Sequence, residues 1–258
     1  MAAIASDDYQ PGVYNPQFFD QSINHVKNDS FKQRYYVNAD YYKPGGPSFL
    51  YISGESANSA SQVSRGLGAY LAKKHNGILF SLEHRYYGVS LPFKNLTAAN
   101  LKYLSSDYGL KDLGKFAKNI EDPITKRKLP SSTKWYAIGG SYAGAMAAWV
   151  RQDCPDLFDG AIASSGPVEA KSDFFEYDLT VGKVLGEQCL DSMNEVTQYV
   201  DKLYETDKAK FSQIKNSFGC QDLKDDIQFL YTVADTLAYM VQYSRPTSSP
   251  SVTSFCDG

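Results

Sequence analysis

One short segment constrains this chain more than any other: Ile138-Gly-Gly-Ser-Tyr-Ala-Gly144, set between an apolar run over 134–138 and an Ala-rich stretch over 142–152. Small residues packed around a single serine, where a strand gives way to a helix, demand a sharp reversal of the backbone. Such a reversal is the expected setting of a nucleophile elbow, in which a strained turn pushes the serine hydroxyl clear of the sheet. Gly139 stands two residues before Ser141, and Ala143 stands two after it, where Gly is commoner. A methyl is tolerable there. The alternative is a glycine-rich turn whose serine merely caps the helix.

The surrounding pattern agrees with the elbow. Residues 47–53 (Pro-Ser-Phe-Leu-Tyr-Ile-Ser) form a short, nearly continuous apolar run, as do 77–82 and 134–138, and 160–164 reads as a fourth strand. Runs of this kind suit strands buried on both faces. Between them, Val63, Leu67, Tyr70 and Leu71 recur at helical spacing, as do Leu110, Leu113, Ala117 and Ile120 before Pro123. Alternation of this sort predicts a parallel sheet with helices on its faces. After about residue 175 only helical spacing remains, in Val196, Tyr199, Val200 and Leu203 and again from Leu223 through Ile227, Leu230, Ala234 and Leu237 to Val241. The division expected is therefore 1–172 for the sheet domain and 173–258 for a helical subdomain, with 246–251 (Pro-Thr-Ser-Ser-Pro-Ser) as a loop. No internal repeat of about 20–50 residues is present.

Composition removes several classes of function. The 258 residues carry a net charge of −3 and are 43% apolar. A balanced, slightly acidic chain lacks the basic face that nucleic acid requires, and no run approaches the roughly 18 apolar residues of a membrane span. The first residues, Met-Ala-Ala-Ile-Ala-Ser, are too short an apolar run for a secretory leader. Two features nonetheless favour a lumenal or secreted setting. Asn28-Asp-Ser30 and Asn95-Leu-Thr97 are glycosylation acceptor triplets. Cys154, Cys189, Cys220 and Cys256 make an even set without metal-type spacing, which allows three disulfide pairings. No metal or cofactor is called for.

Further polar segments flank the elbow in this reading. Tyr142 would place its backbone N–H beside the serine at a helix N-terminus, where it can stabilise an oxyanion. The loop 51–56 (Tyr-Ile-Ser-Gly-Glu-Ser) follows the first buried strand, and there an α/β hydrolase finds its other oxyanion donor, so Glu55 or its neighbour is the candidate. Glu83-His-Arg-Tyr-Tyr-Gly88 also carries chemistry-bearing side chains. His84 precedes the serine, contrary to the Ser, acid, His order of that fold, so a structural role is expected for it. Glu83 and Arg85 read as a mutual ion pair that fixes a loop.

Taken together, Gly-Gly-Ser141-Tyr, the 83–88 block with Ser90-Leu-Pro-Phe93, and Ala163-Ser-Ser-Gly-Pro-Val168 resemble the serine peptidases related to prolyl carboxypeptidase, dipeptidyl peptidase II and the fungal acid prolyl endopeptidases. The likeness begins near Phe18, takes in Arg34-Tyr-Tyr and Gly54-Glu55, and runs to the end, where Leu185-Gly-Glu-Gln-Cys189 is similar to the start of that family's helical insertion. The resemblance implies an α/β-hydrolase domain interrupted by a helical cap, and hydrolysis of peptide bonds after proline, in a secreted or lysosomal setting. The substrate would be a proline-containing peptide, and a homodimer is left open as the assembly. It puts the nucleophile on Ser141 and the elbow oxyanion donor on Tyr142. One departure is plain: His25, His75 and His84 all precede Ser141 and no histidine follows it. The family's acid and histidine lie on later strands, so they are expected outside this chain, which is then a piece of a longer enzyme. An esterase with the same fold and a non-catalytic binding protein are the competing readings.

Overall fold

In the computed structural model, which describes residues 10, 12–27, 29–244 and 251–256, the chain divides into two compact units, Met1–Ala170 and Lys171–Gly258. The first contains β1 (Gln17–Ser22), β2 (Ser30–Asn38), β3 (Ser48–Ile52), α1 (Ser61–Ser64), α2 (Gly66–His75), β4 (Ile78–Leu82), α3 (Ala98–Leu101), α4 (Ser106–Asn119), β5 (Trp135–Gly140), α5 (Tyr142–Asp153) and β6 (Phe158–Ser164). Its strands form one sheet in the order β1-β2-β4-β3-β5-β6. β3, β4, β5 and β6 run parallel, while β1 and β2 form an antiparallel pair that joins β4 antiparallel.

Burial on both faces explains the near-continuous apolar runs. Successive side chains of a strand point to opposite faces. Leu50, Phe80 and Ala137 accordingly meet α4 and α5 residues Phe116, Met146 and Val150. Their neighbours Phe49, Leu79 and Ile138 meet Val63 and Ala72 of α1 and α2. Phe116, with no exposed surface, contacts the rings of Phe19, Tyr35 and Phe80 edge-on at 5.2–5.7 Å. Burial of a side chain of this size stabilises by about 1.5–3 kcal/mol.

The single helix suggested by Val63, Leu67, Tyr70 and Leu71 is two helices. Arg65 is extended (ψ 174°) and Gly66 takes a positive φ of 81°, so the chain breaks between α1 and α2. Leu67 and Tyr70 are exposed, and α2 instead buries Gly68 and Ala72. A Cβ at Gly68 would stand 3.0 Å from Leu79 Cδ1, so helix and sheet approach too closely for a large side chain.

The second unit is helical throughout its described residues: α6 (Phe175–Leu185), α7 (Glu187–Thr206), α8 (Lys208–Ser217), α9 (Asp226–Tyr243) and α10 (Val252–Cys256). Leu203, Phe211 and Phe229 form its core. Asp207 and Asp225 cap α8 and α9 by accepting from backbone N–H groups at 2.9–3.2 Å. Val196, Tyr199 and Ile227, members of the helically spaced series, are exposed; Phe229 and Ala238 are the buried residues of α9. Of the three cysteine pairings, the structure contains Cys189–Cys256, and Cys154 and Cys220 are free. Residues 246–250 of the loop expected at 246–251, the N-terminal 1–9 and Asn28 lie outside the described residues.

Candidate active site

Ser141 sits between the end of β5 and the first residue of α5, at φ 57° and ψ −130°. A non-glycine residue held there costs of order 1–3 kcal/mol, and three neighbouring glycines show why the chain accepts it. A Cβ at Gly139 would collide with the Ala143 carbonyl oxygen. One at Gly144 would lie 2.5 Å from the Ser164 carbonyl oxygen, and one at Gly166 2.7 Å from the Ala145 backbone nitrogen. Strand, turn and helix therefore pass closer than any side chain allows. Two hydrogen bonds hold the bend: Ser141 N–H donates to Ser164 O at 3.0 Å, and Ala145 N–H to Ser141 O at 3.0 Å.

The Ser141 side chain is exposed and makes no hydrogen bond among the described residues. In particular it does not cap α5, which disposes of the capping alternative. Ala143 is buried, and the tight position after the serine is Gly144, three residues on. Beside the elbow lies the loop after β3, where a Cβ on Gly54 would meet Ala143 Cβ at 3.9 Å. Glu55, next in that loop, is exposed, and its backbone N–H donates to no group among the described residues. Tyr142, first residue of α5, likewise has no intrahelical acceptor for its N–H.

The 83–88 block is anchored differently from the mutual pair its sequence suggests. Glu83 and Arg85 each take a distant partner. The buried Glu83 carboxylate accepts from Arg34 Nε at 2.6 Å and Nη2 at 3.2 Å, and from Val89 N–H at 2.9 Å. Arg85, wholly buried, donates to both Asp112 oxygens at 2.7 and 2.5 Å and to the Ile23 and Ser22 carbonyls. Asp112 also meets His25 Nε2 at 2.8 Å. Neither arginine partner was legible, because Arg34 and Asp112 lie 49 and 27 residues away.

His84 is buried between these two anchors. Its Nδ1 is 2.8 Å from the Arg85 carbonyl oxygen, and its Nε2 is 3.1 Å from the Tyr142 hydroxyl. Burial lowers its pKa from the usual imidazole value and outweighs the hydrogen bond to the Arg85 carbonyl and the attraction of Asp112. Tyr142, half-buried, has its phenol pushed up to about 12, chiefly by burial and then by the charge of Glu55. Glu55, Tyr142 and His84 thus share one electrostatic neighbourhood beside Ser141. Asn95 is exposed. Among the described residues no cluster of His, Cys, Asp and Glu could hold a metal ion, and no helix is long and apolar enough to cross a membrane.

The strand order, with its antiparallel edge pair and a strained serine between the fifth strand and the next helix, defines an α/β-hydrolase fold. Residues 18–257 match the family described as serine carboxypeptidase S28, and the chain belongs to that family. It is 38% identical over 241 residues to the Arabidopsis thaliana protein named "Probable serine protease EDA2", covering 90% of this chain and 48% of that protein. It is 33% identical over 241 residues to the thymus-specific serine protease of Mus musculus, covering 88% of this chain and 47% of that protein. An Arthroderma benhamiae protein named "Probable extracellular serine carboxypeptidase" is 34% identical over 203 residues, covering 76% of this chain and 28% of that protein. The chain thus spans about half the length of the first two relatives.

Proposed function

We propose that this chain carries the nucleophile of a serine peptidase that cleaves peptide bonds, after proline, through an acyl-enzyme on Ser141. The observation that carries the reading is the Ser141 hydroxyl, exposed at a strained elbow and unused by the fold. A strained residue whose side chain makes no hydrogen bond in return is the signature of a site kept for chemistry. The N–H groups of Tyr142 and Glu55, both without acceptors among the described residues, are the proposed oxyanion donors.

In the proposed reaction Oγ attacks the scissile carbonyl carbon, the serine proton passes to a general base, and the base returns it to the departing amine. Water then hydrolyses the ester and restores the serine. A serine hydroxyl is a weak nucleophile without such a base. His84 Nε2 is taken by Tyr142 and His25 Nε2 by Asp112, and no hydrogen bond joins His75 to Ser141. The base and its orienting acid are therefore proposed to come from residues beyond these 258.

Preference for proline rests on the family and on chemistry. A proline ring has fixed φ and no N–H, so an apolar, aromatic-lined pocket can select it by shape. A secreted or lysosomal location is supported by the Cys189–Cys256 bridge, by the exposed acceptor Asn95, and by a relative named as extracellular. In the native protein, Ser141→Ala is expected to reduce cleavage of a proline-containing peptide by about 10⁴-fold or more. Retained peptidase activity in that variant would end the proposal, and cleavage of a simple ester but no peptide would move it to an esterase.

A further inference from the structure

An oddity of α5 motivates a role for the buried histidine. Ser141 immediately precedes the helix and is of a residue type that ordinarily caps by accepting from an N–H in the first turn, yet here it makes no such bond. Loss of a cap costs about 1 kcal/mol, and it falls at the same residue that bears the strained φ of 57°. The first turn of α5, which carries the Tyr142 N–H, thus has the Ala145 N–H to Ser141 O bond but no side-chain cap, and a hold on the Tyr142 side chain adds to it.

His84 supplies one, and its chemistry is set by its surroundings. The Arg85 carbonyl oxygen, 2.8 Å from Nδ1, can only accept. The neutral ring therefore carries its proton on Nδ1 and leaves Nε2 as an acceptor. The Tyr142 hydroxyl, 3.1 Å away, must then be the donor. The two rings also meet edge-on at 5.5 Å, and Tyr87 meets the imidazole edge-on at 5.4 Å. Nothing in this arrangement is loose. His84 sits between Glu83 and Arg85, each locked into a buried ion pair, and a Cβ on Gly109 would come within 2.8 Å of Nε2.

We propose that His84 is a positioning residue for the reaction at Ser141: as a fixed hydrogen-bond acceptor it tethers the Tyr142 side chain, and through it the uncapped first turn that presents the elbow's oxyanion donor. This rests on the peptidase reading for its kinetic consequence and on geometry alone for the tether. His84 takes no proton from Ser141 and touches no substrate. Its contribution is to hold the Tyr142 N–H where the oxyanion forms, an interaction realised in the transition state more than in the bound substrate.

Two experiments test it. The first needs no activity. With three histidines in the chain, ring ¹⁵N spectra of the native protein should show one with a protonated Nδ1 and an unprotonated Nε2, lost in His84→Gln and shifted in Tyr142→Phe. A protonated Nε2, or a ring spectrum indifferent to Tyr142→Phe, would overturn the tether. The second is kinetic: Tyr142→Phe and His84→Phe should each lower kcat about tenfold with KM little changed, the worth of one net hydrogen bond. His84→Gln, whose side-chain carbonyl can accept from the Tyr142 hydroxyl, should recover most of that loss. Unchanged kcat in Tyr142→Phe, or a rise in KM alone, would refute the positioning role. If Ser141→Ala kept full activity, the peptidase reading would fail while the ring spectra still decided the tether.

Discussion

At the residue scale the protein's chemistry depends on contacts that leave no room. Gly144 is the sharpest case, because a methyl there meets the backbone oxygen of Ser164 at 2.5 Å and backbone cannot rotate away. Gly144→Ala is expected to lower stability by about 1–3 kcal/mol, read as a shifted urea midpoint. An unmoved midpoint would show that strand and helix pass with more clearance than described. His84 gives a pH prediction. Its folded pKa lies below the unfolded value of about 6.5. The folded state thus binds fewer protons than the unfolded state as pH falls through that value, so stability is full above it and declines on acidification. The decline between pH 7 and the folded pKa should be shallower in His84→Gln than in the native chain. The serine at the elbow was legible in the sequence because its neighbours are small and lie between two periodic segments. The squeeze at Gly144 and Gly166 was not, since those contacts are made with residues 20 and 21 positions away along the chain.

Elements show how far a linear pattern reaches. β3, β4 and β5 announce themselves because both faces are buried, and α4 because Leu113, Ala117 and Ile120 repeat at helical spacing. β1 and β2 do not. β1 is exposed or half-exposed until Gln21 and Ser22, β2 alternates only at its start, and their polar residues Gln21 and Gln33 are buried against each other rather than exposed. That pair is tied to the rest by Arg85, whose guanidinium donates to carbonyls at the end of β1 and to Asp112 on α4. The same ion pair holds the block that carries His84. Removal of one partner leaves an unpaired buried charge, at a cost of about 3–5 kcal/mol. Asp112→Ala should therefore unfold at markedly lower denaturant, and Asp107→Ala, which breaks an exposed pair with Lys111, should change stability by less than about 1 kcal/mol. Equal effects would mean that the Arg85–Asp112 pair is not the tie described.

Over the whole molecule, the change to helix alone after the last strand was legible from spacing, and the chain has two compact units, Met1–Ala170 and Lys171–Gly258. The disulfide was not, because four cysteines at these spacings fit any pairing. Cys189 and Cys256 close a loop of 67 residues, and loss of such a constraint costs about 2–4 kcal/mol. Reduction, or a double Cys→Ser substitution, should lower the melting temperature of the helical unit and leave that of the sheet unit unchanged. A single transition that ignores reductant would contradict this.

The account stands or falls on whether Ser141 is a reactive nucleophile. The most direct measurement is treatment of the native protein with a fluorophosphonate, followed by peptide mass mapping of the adduct. The expected result is a single phosphonylated residue, on the peptide that contains Ser141, absent in Ser141→Ala. Adduct on another residue, or none on a folded protein that still cleaves peptides, would contradict it.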